Sequence, residues 1–340
     1  MNEFLVGILN GINSLFHNYG WSIVVFTLLI KLILLPFDYK SRVGMRKTQM
    51  IQPKVTALQK KYANDKDKLN AKMAELYKKE GVNPLSSCLP MLLTFPILIA
   101  MFGAMRSIAN ENLAMQAIDI LLGQEPVMEQ WLWVKNLWMP DSPFAAMWPD
   151  LNSLNMIEAG VWGKVLGALE PAKLEALFAT INTNAGVALT IESFTSNTQA
   201  SVQALHTAMS ALPAYAEHIK TLPGFNFNLI ITTVSVMQNF NGWFLLPILS
   251  AVSQYLMSST SMGAKKDEAA AQTQQQQSTG NFMKWFFPLF TLWLCFSYTA
   301  AFALYWVASN LIAMVQTYAM NKYLDNKESK QKTTVEGTVK

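Results

Sequence analysis

The sequence predicts an all-α integral membrane protein, and three observations carry that expectation. Hydrophobic residues make up 51% of the 340 and charged residues only 14%, where soluble domains carry about 25% charged residues. Five apolar segments, at residues 21–37, 85–105, 242–262, 282–298 and 299–320, fit as spans, some only marginally. A hydrocarbon core about 30 Å thick demands about 20 mostly apolar residues. The lysines and arginines, finally, collect in the segments on one side of those spans.

Taken in chain order, residues 1–20 repeat apolar side chains at Phe4, Leu5, Ile8, Ile12, Leu15 and Phe16. That near-3.6 period reads as an amphipathic helix lying on the outer surface, ending in a turn at Asn18-Tyr19-Gly20. No basic n-region or small-residue cleavage site precedes it, so a cleaved signal peptide is not expected. The first span follows at 21–37. Residues 38–84 then hold twelve Lys/Arg against five Asp/Glu. Two helical patterns fill this segment, one through Met50, Ile51, Val55, Leu58 and Tyr62, the other through Leu69, Met73, Leu76 and Tyr77. With Ala63-Asn64-Asp65 as the turn, they form an antiparallel hairpin with basic outer faces. Charge alone leaves two readings open: a solvated face, or a docking surface for anionic lipid headgroups or ribosomal RNA.

After the second span at 85–105, residues 106–241 form a long segment expected to be helical. Its Trp-dense stretch WLWVKNLWMPDSPFAAMW suits an interface, and Ala- and Leu-rich stretches beyond it suit a cap of small helices. The third span covers 242–262. Residues 263–281 are polar and of low complexity, and a mobile loop is expected there. The apolar run 282–320 is too long for one span and divides near Ser297-Tyr298-Thr299. Residues 321–340 form the tail.

Charge orients this arrangement. Short basic segments stay in the cytoplasm, so 38–84 lies inside. Residues 106–240 hold five Lys/Arg against eleven Asp/Glu and fall outside. Five spans then leave the N-terminus outside and the tail inside, where its five lysines agree.

Catalysis finds no support. No Asp, Glu or His lies within any span, and HExxH, GxSxG, a phosphate-binding glycine loop and a paired-carboxylate site are all absent. Cys88 and Cys295 fall in apolar runs without metal-ligand spacing. The chain is expected not to be an enzyme and to need no cofactor or metal. What remains is Lys31, the one cation of FTLLIKLILLPF. It stands nine residues before Lys40, hence about 13 Å deep, and shares a helix face with Thr27. Polar partners are available at Thr94 on the second span, at Ser250, Ser253 and Gln254 on the third, and at Ser309, Asn310 and Gln316 on the last. Lys31 either snorkels to the inner interface or lines a water-filled recess that suits a transient anionic visitor.

The residues also match a family. VNPLSSCLPMLLTFPILIAMF (82–102) resembles the start of the second core span of the YidC/Oxa/Alb membrane protein insertases. NYGWSIVVFTLLIKLILLPF resembles their first core span, with a basic residue five before a proline. QPKVTALQKKYANDKDKLNAKMAELYKKEGVNP resembles their cytoplasmic hairpin and FALYWVASNLIAMVQTYAM their last span. The order and topology agree as well. The resemblance implies five transmembrane helices around a hydrophilic groove, open to the cytoplasm and lipid and closed to the outside. It implies that Lys31, Thr27, Thr94 and Gln254 line that groove, with Tyr305 and Trp306 where the last span faces the substrate; Asn310, a polar residue of the last span, is expected in the groove with them. The implied function is insertion of membrane proteins in a bacterial cytoplasmic membrane. Nascent membrane proteins would be the clients, with the ribosome and Sec translocon as further partners and no small-molecule substrate. The sequence departs from the family in three places: Lys31 replaces the commoner arginine, Thr94 stands where Gln is frequent, and Tyr298-Thr299-Ala300-Ala301 replaces a Pro-Gly-like turn. The alternative function is a small-solute carrier or channel with Lys31 as an anion site.

Overall fold

The computed structural model describes residues 2–83, 89–228, 233–261 and 274–338. In order these form α1 (Asn2–Phe16), α2 (Tyr19–Lys61), α3 (Lys66–Lys79), α4 (Leu89–Leu121), α5 (Leu151–Asn155), α6 (Ala159–Gly167), α7 (Pro171–Ala185), α8 (Ile191–Ser196), α9 (Thr198–Ser210), α10 (Pro213–His218), β1 (Thr221–Asn228), β2 (Thr233–Met237), α11 (Leu245–Ser261), α12 (Gln274–Ser297) and α13 (Ala300–Thr338). The chain is mostly helical. Two of these helices, Tyr19–Lys61 and Ala300–Lys327, are long and apolar enough to cross a membrane, and Glu3–Phe16 and Leu245–Ser259 are shorter apolar helices.

Contacts divide the chain into two compact units. The first comprises Met1–Phe26, Ala100–Ser250 and Thr291–Trp306, the second Thr27–Ile99, Ala251–Phe290 and Val307–Lys340.

Within the first unit, α1 ends at Phe16 and His17 takes a left-handed φ of 50°. The Oδ1 of Asn18 accepts the backbone N–H of Trp21 at 3.2 Å and so caps α2. The turn therefore comes earlier than Asn18-Tyr19-Gly20. Gly20 is helical, and it is glycine for contact: an added Cβ would lie 2.1 Å from the Trp131 ring. The segment after α4 is held by a buried amide knot. Asn241 Nδ2 donates to the carbonyls of Asn136, Met139 and Pro140, and Asn136 donates its N–H to Asn241 Oδ1 at 2.7 Å. Asn136 Nδ2 also reaches Gln116 Oε1 at 2.9 Å. Asp141 accepts the backbone N–H groups of Phe244 and Leu246 and the indole N–H of Trp133.

Helices α5 to α10 pack around Leu154, Trp162, Leu177, Ile181, Phe194 and Leu205, all buried. Capping boxes at Asp150/Ser153 and Thr190/Ser193 start α5 and α8, and Gly186 at φ 66° ends α7. The expected all-helical segment 106–241 is interrupted by an antiparallel pair, β1 and β2, in register Phe227↔Val234 and Asn226↔Ser235. Its sequence, TLPGFNFN and TVSVM, is rich in Thr, Val and Phe and carries no charge, a composition that suits strands better than helix. Gly224, at φ 82°, sits within the register shift between Thr221 and Asn226.

In the second unit, α2 does not stop at Phe37. It passes through Pro36 and Pro53 to Lys61, so the first span and the first arm of the basic hairpin are one helix. α3 returns against it, capped by the Asp65 carboxylate on Lys68 N–H at 3.0 Å. Ile51, Val55 and Val82 form the hairpin's core with Met73, Leu76 and Tyr77 around them, while Met50 points out. Val82 closes the return by donating to Tyr77 O. The expected loop 263–281 is partly helical, because α12 begins at Gln274; residues 262–273 lie outside the described residues. The tail is helical as well, since α13 continues to Thr338. A glutamine run is a good helix former, and Lys/Glu-rich tails propagate a helix already nucleated by apolar packing.

Candidate functional site

The second unit brings the sequence-predicted polar residues onto the faces of three helices. On α2, Thr27 is buried and Lys31 half-buried, one turn apart on the same face. The other side of that helix presents Leu29, Leu32, Ile33 and Phe37, which are 43–67% exposed. Leaving four large apolar side chains open to water would forfeit about 1.5–3 kcal/mol each, so this row is built for lipid. On α11 the same division recurs, with Val252 and Leu256 outward and Ser253 buried.

α13 ties the two together through different faces. Asn310, buried, donates from Nδ2 to Ser253 Oγ at 3.1 Å and to Gln254 Oε1 at 3.2 Å. Six residues on, Gln316 Nε2 donates to the backbone carbonyl of Lys31 at 3.1 Å. The carbonyl is therefore satisfied while the ammonium group of the same residue is left to other partners. No carboxylate lies within 4 Å of Lys31 among the described residues, although Asp38, two turns further along α2 and just past the expected span, acts on it electrostatically. The acid-free span thus has an acidic neighbour at its inner edge. One cation with a distant counter-charge can still attract a second anion.

The remaining predicted residues are placed as follows. Thr94 lies on α4, but its side chain is outside the described residues. Tyr305 and Trp306 belong to the first unit, where Tyr305 is buried and the Trp306 ring lies 5.6 Å from Phe302. Among the described residues, no three His, Cys, Asp or Glu side chains stand together as a metal site.

Sequence reasoning missed a second polar row. Beyond Gln316, Arg42 donates to Thr317 Oγ1, and Arg46 donates to Asn321 O at 3.1 Å and pairs with Asp325 at 2.8 Å. Tyr39 and Tyr323 meet edge to face at 6.1 Å. The signal was present as two matching i, i+4 series, Arg42/Arg46 and Thr317/Asn321/Asp325. Ending the helices at Phe37 and Met320 hid it.

Comparison with known proteins bears on this arrangement. The sequence pattern of the 60Kd inner membrane protein family matches residues 11–209 and 175–328. The chain is similar to the membrane protein insertase YidC of Fusobacterium nucleatum, 45% identical over 107 residues, covering 32% of this chain and 52% of that protein. It is similar to the membrane protein insertase YidC of Francisella tularensis subsp. novicida, 38% identical over 155 residues, covering 46% of this chain and 25% of that protein. The chain thus spans about half the length of the first relative and a quarter of the second. With a match that runs through nearly all of its helices, this chain belongs to the 60Kd inner membrane protein family, the group of the YidC/Oxa/Alb insertases.

Proposed function

We propose that the protein is a membrane protein insertase of the bacterial inner membrane. It receives nascent polypeptides from the cytoplasm at the polar faces of α2, α11 and α13 and releases their apolar segments sideways into lipid. The observation that carries this reading is the polar row of the second unit: Thr27, Lys31, Ser253, Gln254 and Asn310 on helices whose opposite faces are apolar and exposed. An intramembrane cation is costly and marks a functional path by default. Five spans, with the N-terminus outside and the basic hairpin inside, fit the exposed apolar rows on α2, α4, α11, α12 and α13, among them Ile33, Ile99, Val252, Trp293 and Val315. The relatives' names as insertases point the same way.

In this reading an acidic or polar segment of the client enters the recess and Lys31 attracts its negative groups. Hydration lowers the barrier to transfer, and apolar partitioning with the membrane potential drives completion. Thr94 belongs to this client path, and Tyr305 and Trp306 of the last helix are further residues that meet the client. The hairpin's lysines meet anionic lipid or the ribosome, and the Sec translocon is a further partner. Complementation of insertase-depleted cells tests the proposal: Lys31→Glu and Lys31→Ala are expected to lose insertion of acidic-tailed single-span clients. Wild-type insertion by both variants would remove the charge from the mechanism. Photocrosslinking from position 306 to ribosome-bound nascent chains, set beside solute flux in liposomes, separates an insertase from a carrier.

A further inference from the structure

The first unit contains a cavity of about 250 Å³ that the client path does not use. Phe102, Arg106, Ala109 and Leu113 line it from α4, at the three- and four-residue steps of one helix face. From residue 102 to residue 113 that face runs about 16 Å. A space of about 250 Å³ against one helix face has room for part of a single alkyl chain. The facing wall is aromatic: Phe144 from the segment after α4, and Phe296, Tyr298 and Phe302 around the junction of α12 and α13. Phe102 meets Tyr298 and Phe302 edge to face, with centroids 5.0 and 5.3 Å away, so this wall is held in place by its own packing.

Charge collects beside this apolar body. Arg106 donates to the Met156 carbonyl at 3.2 Å and approaches Glu158 at 3.5 Å, with 42% and 70% of the two side chains exposed. Asp150 lines the cavity too, and one oxygen of its carboxylate accepts the Ser153 N–H at 2.8 Å at the start of α5. An ion pair as open as Arg106–Glu158 contributes little and re-pairs readily. The border of the cavity therefore offers one cation and two carboxylates. A purely anionic headgroup would meet a net negative field there, whereas a headgroup carrying both signs matches it.

We propose that this cavity seats part of one acyl chain of a zwitterionic glycerophospholipid from the outer leaflet, its phosphate on Arg106 and its ammonium toward Glu158 and Asp150. The leaflet assignment rests on the topology proposed above. Phe102 stands at the end of the second apolar segment and Tyr298 at the joint between the last two, so the cavity opens at the level where aromatic and amphipathic groups meet the membrane border. Lipid is the abundant amphiphile at that depth, which favours it over a client peptide.

The test uses the full chain in vesicles containing phosphatidylethanolamine or phosphatidylglycerol with a photoactivatable acyl chain. Labelling is expected to concentrate on peptides spanning 102–113 and 296–302, severalfold stronger with phosphatidylethanolamine. Filling the cavity by Ala109→Phe, or from the facing wall by Ala145→Leu, should reduce that labelling severalfold and leave labelling elsewhere unchanged. Arg106→Gln should abolish the headgroup preference. Equal labelling of the filled variants, no headgroup difference, or labelling displaced by ribosome-bound nascent chains would each overturn the proposal. Orientation is read separately, by an impermeant maleimide on Asn152→Cys in a chain with Cys88 and Cys295 replaced by serine. Reaction in intact spheroplasts is expected. Reaction only after lysis would overturn the outer-leaflet assignment and the topology, while the photolabelling would still report on the cavity.

Discussion

Lys31 is half-buried on the Thr27 face of α2, opposite the exposed Leu29, Leu32 and Ile33, and it brings a charge to an otherwise apolar helix. If that charge is what a client meets, Lys31→Arg keeps it and should insert acidic-tailed clients at close to the wild-type rate. Lys31→Ala should cost about tenfold, the size of one interaction of roughly 1.4 kcal/mol. Quantitative pulse-labelling of a single-span client measures both. Gly242 is constrained differently: a Cβ there would stand 2.0 Å from Asp141 Oδ1, which caps the start of α11. Gly242→Ala must displace that cap and should lower stability by about 1–3 kcal/mol in detergent. Glu129 gives a pH-dependent counterpart. Burial raises its carboxyl above the ordinary value, partly offset by the hydrogen bond from Tyr19 N–H at 2.8 Å. Its stabilising form is the protonated one, present below the unfolded value and lost as pH rises through the folded one. Glu129→Gln keeps an acceptor for Tyr19 without the charge. Melting curves should show it more stable than wild type at pH 7.5 and no different near pH 4.

At the scale of elements, α2 and α13 are longer than their spans, and their extensions pair through Arg42, Arg46, Thr317, Asn321 and Asp325. Asp325 is 68% exposed, so the Arg46 pair alone contributes about 0.2–1 kcal/mol. Arg46→Ala is expected to leave the global melt unchanged but to raise hydrogen exchange in residues 317–327, where local fraying shows first. The hairpin has a small core, and Ile51→Ala should cost it about 2 kcal/mol or more. Limited proteolysis between residues 51 and 83 would read that loss while α4 stays intact. Continuity through Pro36 and Pro53 was not readable from residue types, since a proline usually ends or kinks a helix. The strands β1 and β2 were hidden for a related reason. Uncharged Thr/Val/Phe runs beside a membrane segment read as apolar helix until a partner strand supplies the hydrogen bonds.

For the whole molecule, topology is the property that charge decides. Residues 38–84 carry a net charge of +7, from twelve basic and five acidic residues, and residues 106–240 carry −6, from five and eleven. Alkaline phosphatase fused after Asn152 should be active and fused after Asn64 inactive. The reverse pattern would overturn the proposed orientation.

The sequence by itself determined the apolar segments, the basic hairpin, the family and the polar residue types available at depth. Those follow from composition and short-range periodicity, which act over one or two helical turns. Tertiary structure alone decided which polar groups meet. The bond from Asn310 to Gln254 spans 56 residues, the one from Gln316 to Lys31 spans 285, and the knot of Asn136 and Asn241 spans 105. Buried amides must find partners wherever packing brings them, and no local pattern encodes a partner that distant. Gly20, glycine because the Trp131 ring fills the place of its side chain, is the smallest instance of the same rule.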